Sequence, residues 1–203
     1  DNTLSISPSF VAGTLTGYNV MALSTSTSLK ITASFSSGGV TAKTGSNSAQ
    51  SLIPGQQSAD ATNYALTAGT NTLSLTHSAE GTYVITIIRP ALTNFVVQDQ
   101  ADNDVAITPT FVAGTLTGYT AITLLTATSV RLTGTFATGT VTAKFPSGTN
   151  QAIALSTTTQ KIDATNFAIS TGSNPLSVIH SVDGTYNIDV VKPALTALVA
   201  KDQ

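Results

Sequence analysis

The sequence predicts an all-β protein: two tandem antiparallel β-sandwich domains, elongated and joined end to end. Three observations carry this prediction. Long stretches of the chain occur twice, apolar residues alternate with period two, and Gly, Asn and Ser turn signals recur about every 8–12 residues.

The duplication comes first because a missed repeat misreads the whole fold. Phe10-Val-Ala-Gly-Thr-Leu-Thr-Gly-Tyr18 recurs unchanged as Phe111 to Tyr119, an offset of 111 − 10 = 101. His77-Ser-Ala-Glu-Gly-Thr-Tyr83 recurs as His180-Ser-Val-Asp-Gly-Thr-Tyr186, an offset of 180 − 77 = 103. Pro90-Ala-Leu-Thr93 returns as Pro193 to Thr196 at the same later offset. The second copy therefore gains two residues between Lys43/Lys144 and Asp60/Asp163.

Within each copy the strands follow in order. Leu29, Ile31, Ala33 and Phe35 alternate with polar neighbours, and Val130, Leu132, Gly134 and Phe136 keep that phase. Leu73, Leu75 and His77 alternate with Thr72, Ser74 and Thr76, and Tyr83, Ile85 and Ile87 follow a tight Glu80-Gly81 turn. Period two puts each such set on one face of a strand, which a sandwich buries. Glu80-Gly81 and Asp183-Gly184 are hairpin signals because Gly accepts the positive φ that such turns need. No stretch carries a helical period.

Composition narrows the function classes. Only 9% of residues are charged, against about 25% in ordinary soluble proteins. The apolar share of 41% is enough for packed cores. A net charge of −2 with scattered Lys and Arg argues against nucleic acid and against a polybasic membrane contact. The absence of Cys excludes disulfides and thiolate metal sites. No apolar run reaches the roughly 18 residues that span a bilayer, so no membrane insertion is expected. The Ser/Thr-rich, charge-poor surface predicts a secreted, extracellular or cell-surface structural protein. Asp1 is expected to follow a cleaved leader or to mark a cut in a longer chain.

The quoted residues also carry a resemblance. Leu92-Thr-Asn-Phe-Val-Val97, Ile107-Thr-Pro-Thr-Phe111, Gly172-Ser-Asn-Pro-Leu176 and Asp183-Gly-Thr-Tyr-Asn-Ile-Asp-Val-Val-Lys192 resemble the cadherin-like (Ig-like) β-sandwich repeat of bacterial surface proteins. Copy one matches through Gly69-Thr-Asn-Thr-Leu73 and Tyr83-Val-Ile-Thr-Ile-Ile-Arg89. The resemblance implies spacer and interaction modules and brings no catalytic residues with it. A fold of this kind hosts many functions.

The repeat boundaries predict assembly. Asp1-Asn2-Thr3-Leu4 matches Asp102-Asn103-Asp104-Val105, but only the second is preceded here by a first strand, within Pro90 to Gln100. Ala194-Leu-Thr-Ala-Leu-Val-Ala-Lys-Asp-Gln203 repeats that strand after copy two is complete. The expected organisation is 1–90, a sandwich lacking its first strand; 91–193, a complete sandwich; and 194–203, a spare donor strand. Leu195, Leu198 and Ala200 would enter an acceptor groove beside Leu4, Ile6 and Phe10 of another copy. The expected partner is thus the chain itself, in a head-to-tail filament, stalk or surface layer serving adhesion or a matrix. The alternatives are a fragment of a long covalent adhesin-like array and a carbohydrate-binding module.

Other chemistry finds little support. Asp99, Asp102 and Asp104 cluster in one loop, but three carboxylates fall short of the 6–8 oxygens Ca²⁺ takes, and Thr3 replaces Asp104 in copy one. A solvated polar loop is expected there, with no metal or cofactor. His77 and His180 share phase with core residues and read as hydrogen-bonded structural histidines. There is no nucleophile elbow, phosphate loop or paired-carboxylate site, so no enzyme is expected. Without Trp, and with Tyr at fixed repeat positions, a stacking platform for sugars is not expected.

Overall fold

The computed structural model describes residues 3–145, 153–156, 161–165, 167–197 and 199. Only strands, turns and loops occur among them, in two units, Asp1–Ala91 and Leu92–Gln203.

Unit 1 contains β1 (Ile6–Ser7), β2 (Tyr18–Met21), β3 (Ile31–Thr32), β4 (Val40–Thr44), β5 (Gln50–Ser51), β6 (Gln57–Ser58), β7 (Gly69–His77) and β8 (Gly81–Arg89). They form a six-stranded sheet, β1-β2-β8-β7-β4-β5, and a two-stranded sheet, β3-β6. The β7–β8 hairpin is the longest ladder, with His77 opposite Gly81. Gly81 takes φ +104, a conformation L side chains rarely adopt, which is why the acid–Gly pair sits there. The core gathers Tyr18, Ile31, Tyr64, Leu73, Ile85 and Ile87 between the sheets.

Unit 2 repeats this plan with β9 (Leu92–Asp99), β10 (Asp104–Val105), β11 (Ile107–Thr108), β12 (Tyr119–Ile122), β13 (Val130–Phe136), β14 (Val141–Lys144), β15 (Ile153–Ala154), β16 (Lys161–Ile162), β17 (Gly172–His180) and β18 (Gly184–Lys192). Its large sheet has the matching order β11-β12-β18-β17-β14-β15. Its second sheet is wider, β10-β9-β13-β16.

Two features depart from the sequence-based expectation. Pairing is antiparallel except that β2 joins β8, and β12 joins β18, in parallel. The paired residues lie 85 − 18 = 67 and 188 − 119 = 69 positions apart, ample length for the crossover that parallel pairing requires. The second departure is the strand expected at residues 29–35. Its counterpart β13 runs seven residues, but β3 keeps only Ile31 and Thr32. The two segments share the same apolar alternation, so the cause is the neighbour. In unit 2, β9 pairs along the whole of β13, from Val130↔Asp99 to Phe136↔Leu92. Among the described residues of unit 1 nothing takes that place.

Candidate functional site: an open strand groove in unit 1

Beside β3 lies an open groove of about 640 Å³ whose apolar walls include Leu4, Leu29, Ile31, Leu75, Ile85 and Ile87. A second hollow of about 300 Å³ shares Leu75 and Ile85 and continues past Ala33 and Phe35 to Phe10, His77, Glu80 and Tyr83. Together the hollows follow residues 29–35, the line that β9 occupies in unit 2.

Unit 2 displays the filled form. Leu92, Phe95, Val97 and Asp99 of β9 all point inward and are buried. Val178 and His180 of the same unit are buried, whereas the equivalent Leu75 and His77 in unit 1 are half-buried. Val105 is buried and Ile107 and Phe111 pack against the core. Their counterparts are the expected acceptor residues. Leu4 is half-buried and lines the groove, Ile6 is 36% exposed, and Phe10 is 53% exposed. Phe10 nevertheless stacks on Tyr18 at 5.6 Å, as Phe111 does on Tyr119 at the same spacing. The aromatic floor is therefore already formed in the open unit.

The expected donor residues are placed in part. Leu195 lies in a segment without strand structure and is 69% exposed, while Leu92, its counterpart in the repeat, is 0% exposed. Val199 is likewise exposed. Leu198 and Ala200 lie outside the described residues.

The groove also contains an acceptor that the sequence did not flag beyond its turn. In unit 2, Asp183 Oδ2 accepts the backbone N–H of Leu92 at 2.9 Å and the Tyr186 hydroxyl at 2.9 Å. Burial, first, and this carboxylate push the Tyr186 hydroxyl far above its ordinary pKa. Glu80 stands at the same repeat position in unit 1 and accepts the Tyr83 hydroxyl, which raises the Tyr83 pKa. The retained acid at this position was the available signal. In unit 2 the acid at this position, Asp183, holds the first residue of β9.

The histidines are held by the backbone. His180 Nε2 meets the Thr138 carbonyl at 2.9 Å, and Nδ1 accepts the Asp183 N–H at 3.0 Å. His77 Nε2 meets the Ser37 carbonyl at 2.9 Å. The three loop aspartates do not converge. Asp99 accepts N–H groups from Ala101 at 2.8 Å and Asn103 at 3.0 Å, plus the Asn103 amide at 2.9 Å. That side-chain amide is the main reason its carboxyl is held below the usual range. Asp102 pairs with Arg131, and Asp104 accepts from Gln98 at 2.7 Å. Among the described residues no group of three His, Cys, Asp or Glu is placed to hold a metal ion. All five tyrosines are buried.

A groove of this volume lies within the roughly 300–1,000 Å³ of small-molecule pockets. Its apolar, strand-shaped lining, and the strand that fills the same place in unit 2, favour a peptide occupant. No protein-family model, curated protein or solved structure matches the chain.

Proposed function

We propose that this chain is a non-catalytic structural subunit that joins head to tail, residues 194–203 of one copy entering the unit 1 groove of the next. One observation carries the reading: the open groove in unit 1 coincides with the place of β9, and residues 194–203 repeat the sequence positions of β9. An unpaired sheet edge over an apolar slot is a template for an added strand. The joint is heterologous, so it propagates into a filament, stalk or surface layer unless its rotation closes a ring. A secreted or cell-surface setting and a cadherin-like, Ig-like repeat architecture suit such a subunit. Supporting the reading are the exposed Leu195, the exposed acceptor residues Ile6 and Phe10, and the Glu80 carboxylate waiting where a strand N–H arrives.

The test is assembly as a function of concentration. Purified chain should form ladders or filaments, and deletion of residues 194–203 should leave monomers whose unit 1 unfolds first. Unchanged assembly after the deletion would remove the basis of the reading. A native polypeptide many times 20.6 kDa on denaturing electrophoresis would instead favour a covalent array, with the groove filled from its own chain.

A further inference from the structure

Resting on that reading, we infer that the groove of unit 1 and the segment 194–203 are matched in size to each other and mismatched to β9, which fixes which strand enters which unit. The inference comes from comparing the two units position by position.

Directly across the β9–β10 ladder, Val105 faces Val97. Both are buried on the core side. The corresponding pair in the joint is Leu4 with Ala200. The acceptor residue is larger by one carbon and the donor residue smaller by two. Gly134 faces Phe95 in unit 2, and the corresponding pair is Ala33 with Leu198. Again the acceptor gains and the donor loses. A Cβ on Gly134 would sit 3.5 Å from Leu92, 3.6 Å from Leu155 and 4.0 Å from Phe95, all ordinary contacts. Ala33 alone therefore does not exclude a ring. The exclusion comes from four further lining positions. Val20 replaces Ala121, Leu29 replaces Val130, Leu75 replaces Val178 and Ile87 replaces Val190. Each of these four faces the groove in unit 1, and each is larger than its counterpart.

A tightly packed slot responds to such differences. Overpacking forces neighbours off their rotamers, and an undersized strand leaves voids. β9 is too large for unit 1, and the segment 194–203 is too small for unit 2. Discrimination of this kind combines a fit for the right partner with a clash against the wrong one. Its consequence is polarity. The segment 194–203 of one copy does not displace β9 from unit 2 of another, and β9 does not leave its own unit to fill unit 1.

The experiment measures the assembly constant of the full chain by sedimentation for four variants at one ionic strength. The donor variant A200V/L198F carries the β9 residues. The acceptor variant L4V/V20A carries the unit 2 residues. The third combines the two, and the fourth is wild type. The donor variant should assemble about ten-fold or more weaker. The combined variant should recover at least half of that loss on a logarithmic scale. A donor variant that assembles as well as or better than wild type overturns the size matching while leaving strand exchange standing. Failure of the combined variant to recover does the same. A wild-type chain that stays monomeric overturns both.

Because the acceptor variant can destabilise unit 1, a second measurement uses only wild-type chain. Synthetic peptides of residues 194–203 and 91–100 are added as competitors of assembly. The first should inhibit at about a tenth of the concentration of the second or less. Equal inhibition contradicts the matching, and no inhibition by either contradicts strand exchange itself.

Discussion

Replacing Leu195 by Ala in the full chain isolates one side chain of the proposed joint. Its counterpart Leu92 is fully buried, and its Cδ1 lies 3.5 Å from the point a Cβ on Gly134 would occupy. The backbone N–H that Asp183 accepts is untouched by the substitution. Removing a buried Leu side chain to Ala costs about 2–5 kcal/mol, as transfer free energy plus the cavity left behind. At about 1.4 kcal/mol per ten-fold, the assembly constant should fall at least about 30-fold. Leu195 is 69% exposed in the free chain, so the subunit's own melting temperature should scarcely move. Sedimentation equilibrium over a range of concentrations reads the constant directly. Thr196→Ser is the control, since its counterpart Thr93 is exposed and uses only its hydroxyl, donated to the Thr135 carbonyl, which serine keeps; its effect should stay within about three-fold. If the two substitutions weaken assembly equally, the inward face assigned to Leu195 is wrong.

Three further outcomes follow from the same geometry. The register of β9 on β13 places Gln98 opposite Arg131, so Lys201 would face Lys30 across the joint. Like charges directly opposite disfavour pairing by about 0.2–1 kcal/mol, so Lys201→Gln should strengthen assembly up to about five-fold, and less at high salt. Glu80→Ala removes the acceptor for the incoming N–H, and the assembly constant should drop on the order of ten-fold, measured the same way. The Asp99 carboxyl is held low by Asn103. A lowered carboxyl pKa contributes stability that is present above the unfolded value near 4 and is lost as pH falls through the folded value. The stability of unit 2 should therefore drop below about pH 4 in a chemical-denaturation series, and Asp99→Asn should flatten that limb.

Much of the fold was legible because it is written twice. The unchanged block Phe10–Tyr18/Phe111–Tyr119 and the recurring His-Ser-x-acid-Gly-Thr-Tyr turn identify equivalent strands without any structure. Period-two patterns placed Leu73, Ile85 and Ile87 in the core, where they lie. What local patterns cannot report is pairing. The same alternation yields seven strand residues at β13 and two at β3, because a strand exists only as long as a neighbour's ladder does. The parallel joining of β2 to β8 is equally a property of the chain's path. Asp183 reads in the sequence only as a turn residue, since its contact with the Leu92 N–H at the start of β9 is one that no spacing encodes. Of the expected donor residues, Leu195 is placed exposed and outside any strand, while Leu198 and Ala200 rest on repeat position alone.

Amide hydrogen exchange across residues 29–35, compared between dilute and assembled chain, tests the occupied groove most directly. In dilute chain the Thr32 and Ser34 amides, which alternate with the Leu29 N–H bonded to the Tyr64 carbonyl, should exchange far faster than those of Thr133 and Thr135 in the strand that β9 covers. On assembly they should slow toward the rates of β13, and the amides of residues 195–200 should slow with them. An assembled sample in which residues 29–35 still exchange as fast as in the dilute chain would show the groove unfilled and contradict strand exchange as the joint.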